Sequence, residues 1–471
     1  MFDIKEMSQD DINTLYSTIK EDHFNDYKAK DISGKGFCKI VSAFANASGG
    51  DIYIGIREDN VTKIKHWEGF SDIEDANAFI QQLESFSQVD DFYAVEFLQH
   101  PTNKTLVMKV NIFKTQKIVT CPNGKVYVRK GAQSLPIDTE EKKRRLELDK
   151  GLSSYEDEYI AESIVEDIID SDAMSFFSNQ IIPNSNPLMW AIRQRLIRDS
   201  KVSVAGELLF ADEPQICLPK RSSIKIMQYR TVDEGDRDTL AADPITIEGC
   251  AYKQIYDAVD KVKSTIEGMK KIGNMLSNVS YPEETLHEII TNAVLHRDYS
   301  IATDIQIRIF DNRVEVESPG KLPGHVTVNN ILETQFSRNP KLVRLINKFP
   351  KAPNKDVGEG LNTAFNAMTK LRLKQPIIEE KSNSVLVIIK HERLASPDEV
   401  VLDYLKSHQE IVNRDARALT GIKSENTMKR VFWRLRDQGY IEMIPGRARS
   451  KSAWRLTNNE TIRENDLKQY D

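Results

Sequence analysis

Apolar side chains at Leu286, Ile289, Ile290, Ala293 and Val294 recur at helical spacing, which predicts an amphipathic helix within residues 286–300 whose apolar face meets a core. On another face Glu288 and Asn292 stand four residues apart, one above the other, with His296 a turn further on. Ile305 to Phe310 alternate as a strand, Asp311-Asn312-Arg313 makes a turn, and Val314 to Val316 begin a second strand of a hairpin. Nearer the N-terminus, Phe37, Ile40, Val41 and Phe44 give an inward helix face over residues 36–47. Gly49-Gly50 ends that helix, and residues 51–56 follow as a strand covered on both faces. Val202 to Phe210 and Ile224 to Gln228 read as buried strands, and Trp190 to Arg198 as a helix with a solvated, arginine-bearing face. The charged run Glu140 to Asp149 reads as a solvated linking helix.

The C-terminal pattern is that of a separate unit. Ser396 and Pro397 form a helix start, with Val400, Leu402, Leu405 and Ile411 as the apolar face. A short helix over 415–419 and a third over 424–438 follow, the third burying Met428, Val431, Phe432 and Leu435. Residues 440–444 and 453–456 form a hairpin around Pro445-Gly446. Three helices and a β-wing read as a winged helix. Lys423, Lys429, Arg430, Arg434 and Arg436 along its third helix, with Arg447, Arg449 and Lys451 on the wing, would face nucleic acid.

Composition narrows the class. A chain of 471 residues with 40% hydrophobic and 29% charged residues has room for about three globular domains. No apolar run reaches the ~18–20 residues of a membrane span, and the N-terminus lacks the parts of a signal peptide. A cytoplasmic location is expected. The four cysteines, Cys38, Cys121, Cys217 and Cys250, lie far apart, which argues against zinc and against a disulfide framework. A net charge of −6 means that any nucleic-acid surface is local.

The Glu288–Asn292 pair carries candidate chemistry. A carboxylate can orient or deprotonate a water while an amide oxygen helps hold a magnesium ion that bridges phosphates. Downstream lie two glycine loops, residues 317–324 and 357–361. The glycines of the second, Gly358 and Gly360, free backbone N–H groups to approach phosphate oxygens, and a helix follows.

This order of helix, hairpin and two glycine loops resembles the GHKL ATPases. It is more similar to their divergent RecG-like C-terminal branch, whose signatures stand here as His296-Arg297-Asp298-Tyr299, Ser318-Pro319-Gly320 and Ser337-Arg338-Asn339-Pro340. The resemblance implies an ATP and Mg2+ site with Glu288 as catalytic carboxylate and Asn292 as magnesium ligand. It adds His296, Asp298, Ser318, Gly320, Gly358 and Gly360 as nucleotide-binding positions. Where GHKL sites usually place an Asp for the adenine amino group, this chain has Glu317-Ser318-Pro319-Gly320.

Ser42-Ala43-Phe44-Ala45-Asn46, Gly49-Gly50, Ile54-Gly55-Ile56 and Tyr127-Val128-Arg129-Lys130-Gly131 together resemble the AlbA-like domain of Schlafen proteins. In nuclease-active members two carboxylates five residues apart, and a third after the Gly-Gly strand, bind a divalent metal. Glu21 and Asp26 keep that spacing, Lys28 follows, and Glu58 or Asp59 stands at the third position. Convergence of Glu21 and Asp26 requires a bend between them. Other relatives use this domain to bind DNA.

These readings define an α+β, multidomain chain. Its parts are an AlbA/Schlafen-like α/β domain at 1–140, a connecting α/β region at 141–275, a GHKL-type α/β sandwich at 276–393 and a winged helix at 394–471. Two functions stay open. One is a nucleotide-gated DNA-binding, transcriptional regulator. The other is a metal-dependent nuclease effector cutting through Glu21, Asp26 and Glu58 or Asp59, in defence against foreign nucleic acid. DNA, with RNA as the alternative, is the expected partner, and a homodimer or higher homo-oligomer the expected assembly.

Overall fold

Alternation along Ile52, Tyr53 and Ile54 sends successive side chains to opposite faces of a strand, and both faces are covered. The computed structural model describes residues 2–18, 20–59, 62, 64–86, 92–271, 283–353, 360–371, 373–390, 397–420, 422, 424–445 and 452–457. They fall into two units, residues 1–371 with 375–391, and residues 372–374 with 392–471.

The first unit opens with β1 (Asp3–Glu6), α1 (Gln9–Thr18), β2 (Asn25–Lys28), α2 (Gly34–Ala45), β3 (Gly50–Ile54), β4 (Ile56–Glu58) and β5 (Lys65–Trp67). It continues through α3 (Asn77–Glu84), β6 (Tyr93–Gln99), β7 (Leu106–Ile112), β8 (Tyr127–Lys130) and β9 (Gln133–Pro136). The sheet order is β1-β6-β7-β3-β2, with β1–β6 and β2–β3 parallel and the other pairs antiparallel. Phe37, Val41 and Phe44 of α2 pack on one face with Ile52 and Ile54. Ile12 and Leu15 of α1 pack on the other with Tyr27, Tyr53 and Leu98.

The Ala-Phe-Ala-Asn and Gly-Gly signatures have a packing cause. The Ser33 hydroxyl caps the start of α2 on Gly36 N. Past its end Gly50 has φ +148°, and a Cβ there would lie 2.4 Å from Phe24 O and 2.5 Å from the Phe44 ring, so only glycine fits. The buried Asn46 donates through Nδ2 to Val119 O at 2.8 Å and Tyr127 O at 3.0 Å, while its Oδ1 accepts from Val119 N at 2.8 Å. One amide thereby ties the helix end to two later segments.

The chain then runs through α4 (Glu140–Asp149), α5 (Val165–Ile169), α6 (Asp172–Ile181), α7 (Pro187–Arg193), β10 (Ile197–Arg198), β11 (Lys201–Val202) and α8 (Val204–Phe210). The expected strand at 202–210 is therefore a helix. All seven residues of α8 are buried, so the apolar run has no polar face to betray its period, and the Ser203 hydroxyl caps it on Gly206 N.

A second sheet combines β12 (Ile224–Gln228), β13 (Ile245–Ile247), β14 (Ile305–Ile309), β15 (Arg313–Pro319), β16 (Ile377–Glu380) and β17 (Ser384–Lys390), in the order β13-β12-β14-β15-β17-β16. Since β12 pairs in parallel with β14, the connecting region and the expected ATPase domain share one sheet. Over it lie α9 (Ala251–Lys271), α10 (Glu283–Leu295) and α12 (Gly360–Lys370), with α10 between the other two and resting on β15. The helix α11 (Pro340–Ile346) starts on the buried Glu156 carboxylate, which accepts from Lys341 N and Leu342 N at 2.7 Å each.

The second unit contains α13 (Pro397–Ser407), β18 (Ile411–Val412), α14 (Asn413–Thr420), α15 (Glu425–Asp437), β19 (Ile441–Met443) and β20 (Ala453–Leu456). Its sheet order is β18-β20-β19, and Phe432 stacks on Trp454 with centroids 5.3 Å apart. Ser396, Lys423 and the wing residues Arg447, Arg449 and Lys451 lie outside the described residues. Among the described residues no helix is long and apolar enough to cross a membrane, and all four cysteines are free thiols.

Replacing Asn46 by Ala leaves the Val119 N–H and two carbonyls buried without that partner. The expected loss is about 2–4 kcal/mol, read as a lower urea midpoint with unchanged slope. An unchanged midpoint contradicts the role given to Asn46.

Candidate functional site

The apolar side of α10 buries Leu286, Ile289, Ile290 and Val294, which turns Glu288, Asn292 and, just past the helix end, His296 toward a cavity of about 360 Å³. Asn292 Nδ2 donates to Glu288 Oε1 at 2.8 Å, an interaction that leaves the amide oxygen of Asn292 open to another partner. Burial pushes the Glu288 carboxyl upward, against that hydrogen bond. Val316, Val385, Val387 and Ile378 supply an apolar wall from the sheet. Glu288 and Lys321 are the charged side chains among the described lining residues.

Two polar atoms at the wall lack a protein partner among the described residues, His296 Nδ1 and Ser337 Oγ. Burial, and then the charge of Arg338, hold the His296 imidazole down to about 4, so it is neutral near pH 7. Ser318 lines the cavity while its hydroxyl donates to Ala293 O at 2.7 Å. The neighbouring Glu317 is engaged elsewhere, by Arg308 and by Ser384 at 2.6 Å each, and does not stand in for the usual base-binding carboxylate.

The three signature runs meet behind this wall. Asp298 N donates to Pro319 O at 2.9 Å, and Gly320 at φ +102° lies so close that a Cβ would sit 2.5 Å from the Asp298 Cβ. The Asp298 carboxylate takes Arg145 at 2.6 Å, Arg338 at 3.4 Å and the Ser300 hydroxyl at 2.5 Å. Asp298 is thus outside the cavity lining, with its oxygens engaged in this buried network, while Gly320 beside it lies at the wall. Arg297 is also buried and donates to Ser223 O, Lys220 O and Thr303 O. Asn339 Nδ2 binds Leu295 O and Arg297 O. These residues shape the pocket rather than line it. Gly320 is at the wall, Gly360 begins α12, and Gly358 lies outside the described residues. Lys321 and Ser337 had no role in the sequence reading, although Ser337 stands within a signature run and Lys321 within the glycine loop 317–324.

The N-terminal carboxylates do converge. Asp22 Oδ1 accepts from Phe24 N and Asn25 N, which bends the chain between Glu21 and Asp26. Lys28 Nζ then bonds both carboxylates, Glu21 at 3.0 Å and Asp26 more tightly. Arg129 closes the other side of Asp26 at 2.7 Å. Burial pushes Asp26 up against the pull of Lys28, while Glu21, opposed by burial, is held down by Asp26 and Lys28. Glu58 and Glu21 both act on the Lys65 ammonium, and Asp59 Oδ1 accepts from Thr62 N at 2.7 Å. No group of three or more His, Cys, Asp or Glu suited to a metal exists among the described residues. The expectation of a metal on Glu21, Asp26 and Glu58 or Asp59 does not fit a cluster already neutralised by Lys28 and Arg129.

On α15, Arg434 ion-pairs with Asp398 and Lys429 with Glu425 at 2.7 Å, whereas Arg430 is exposed with no ion pair among the described residues. Trp433, three residues on, is 49% exposed.

Comparison with known proteins agrees with the two resemblances. Residues 302–389 match the family described as putative ATP-dependent DNA helicase recG C-terminal, and residues 20–138 match the Schlafen AlbA_2 family. The chain therefore carries a Schlafen AlbA_2 segment followed by a RecG-like HATPase segment. Glu288, Asn292, His296 and Asp298 precede the second matched segment. Among solved structures, the DIP2311 protein from Corynebacterium diphtheriae is similar over 97% of this chain and 92% of that one. Its 17% identity and TM-score of 0.41 carry no argument. No curated protein matches the chain.

The neutral His296 makes the pocket acid-sensitive. An imidazole that protonates near 6.5 when unfolded but near 4 when folded favours the fold above 6.5. That contribution is lost as pH falls from 6.5 toward 4. The His296→Gln variant is expected to lose less melting temperature than wild type between pH 7 and 4.5. Equal losses contradict the assignment.

Proposed function

We propose that this protein is an ATP-binding, nucleic-acid-binding regulator in which the α10 cavity holds the nucleotide and the second unit, read as a winged helix, contacts DNA. The observation that carries this reading is the stacked Glu288–Asn292 pair facing a cavity of about 360 Å³, beside two buried polar atoms without protein partners among the described residues. Ligand pockets span about 300–1,000 Å³, so a nucleotide is of suitable size.

The donor set suits a hard cation next to phosphates. The amide oxygen of Asn292 would hold Mg2+, which when bound neutralises phosphate charge. Gly320 and Gly358 would face phosphate oxygens, Ser318 and His296 Nδ1 would orient the ligand, and Glu288, raised by burial, would take a proton from water. Exposed Arg430, with Trp433 beside it on α15, fits a phosphate-contacting helix better than Arg434, whose guanidinium is occupied by Asp398. A symmetric pair of chains would present two such helices to two half-sites. The nuclease alternative has less support, since the Glu21 and Asp26 carboxylates are held by cations.

Calorimetry with Mg-ATP tests the site. Asn292→Ala should abolish binding, while Glu288→Ala should keep binding and lose hydrolysis. Equal ATP affinity in wild type and Asn292→Ala overturns the assignment. Arg430→Ala should weaken DNA affinity and lower the slope of log affinity against log salt by about one. Running the same titration on RNA identifies the preferred strand.

A further inference from the structure

A second cavity, of about 380 Å³, lies between the N-terminal sheet domain, α4 and the loop after β15. Its lining includes the cations Lys114, Lys130, Lys142, Arg145, Lys150 and Lys321, against the single carboxylate of Asp149. Asp138 pairs with Lys142, Asp298 with Arg145, and Glu380 stands 3.8 Å from Lys114. Lys130 and Lys321 have no ion pair among the described residues, so these carboxylates leave the cleft with an excess of positive charge.

Lys150 is the decisive residue. It is only 2% exposed, and its ammonium donates to Ala45 O at 2.7 Å, Thr115 O at 2.6 Å and Thr115 Oγ1 at 2.9 Å. Each partner is neutral. A buried cation whose hydrogen-bond partners are all neutral, with Asp149 as the carboxylate acting on it, is costly. Burial, then the charge of Lys114, bring Lys150 down to about 7, and burial brings Lys114 down to about 8. The nearby His23 imidazole is held down to about 4 by burial first and then by the charges of Lys321, Arg129 and Lys114. Leu135, Pro136, Ile137 and Leu322 give the cleft an apolar side next to the cations.

We propose that this cleft is a second ligand site, distinct from the α10 cavity, for a phosphate-bearing anion of nucleotide size. Phosphate oxygens lie against Lys130 and Lys321, within the field of the buried Lys150, whose three N–H groups stay on Ala45 and Thr115, and a base or sugar rests on Leu135 to Ile137. Lys321 and Leu322 line both cavities, so the loop between them separates the two ligands. The phosphate belongs either to a free nucleotide or to the 5′ end of a nucleic acid.

Inorganic pyrophosphate without magnesium, titrated into the full chain by calorimetry, is the probe. Wild type and Asn292→Ala should bind it alike, which separates this site from the proposed ATP site. Lys130→Glu/Lys142→Glu, a change on exposed or half-exposed side chains, should weaken it tenfold or more. Lys150→Met should lose the pyrophosphate-induced rise in melting temperature. Competition by ADP, or by a 5′-phosphorylated trinucleotide but not its unphosphorylated twin, names the source of the phosphate. The proposal is overturned if wild type does not bind pyrophosphate, if the double variant binds it equally well, or if binding vanishes in Asn292→Ala. In the first case Lys150 is a neutral amine in an empty cleft.

Discussion

The buried carboxylate of Asp298 is the constraint on which the candidate site depends. Its side chain is 2% exposed and is held by Arg338, at 5%, and by Arg145, at 36%. Removing one member of a buried ion pair costs about 3–5 kcal/mol, because the remaining charge is stranded. Here one carboxylate draws together three separate stretches of chain. Arg145 belongs to α4, Arg338 to the segment leading into α11, and Asp298 itself closes α10 while pressing against Gly320. The pocket wall is consequently fixed from behind. Its cavity-facing atoms, Glu288, Asn292 and His296, are left for a ligand.

The same loop is braced by the N-terminal domain. Lys114 Nζ donates to Leu322 O at 2.7 Å and Val326 O at 3.0 Å, and both of those residues line the α10 cavity. Gly324 N donates to Asp149 O at 3.2 Å. Farther along, His23 Nε2 and Ser48 Oγ lie 3.0 Å apart, and Ser48 donates to Glu380 on the edge strand β16. The strand's Ile378 lines the cavity too. A change of loop position on nucleotide binding would therefore be felt at Lys114 and Thr115, residues of the Schlafen AlbA_2 segment.

Much of this was legible in the sequence, and the reasons for the exceptions are physical. The face of α10 could be read because one side of it is apolar and the other is not. The Gly49-Gly50 motif could be read because a helix end next to a ring leaves no room for a Cβ. The helix α8 could not, since complete burial erases its period. Asp298 was placed at the nucleotide through the resemblance of its His-Arg-Asp-Tyr run, and such a charged run reads the same whether it touches substrate or supports the wall. Its partners Arg145 and Arg338 are distant in sequence and gave no local signal. The closure of Asp26 by Arg129 was hidden for the same reason, since they are 103 positions apart in sequence. The charge of the second cleft is likewise assembled from segments that are individually unremarkable.

Hydrogen exchange of the full chain, with and without Mg-ATP, tests the central claim that one braced loop joins the α10 cavity to the N-terminal domain. The account predicts slower exchange in α10 and at residues 320–326, accompanied by a change at the Gly324 and Thr115 amides. Protection confined to α10 and β15, with Gly324 and Thr115 exchanging as in the free protein, would contradict it.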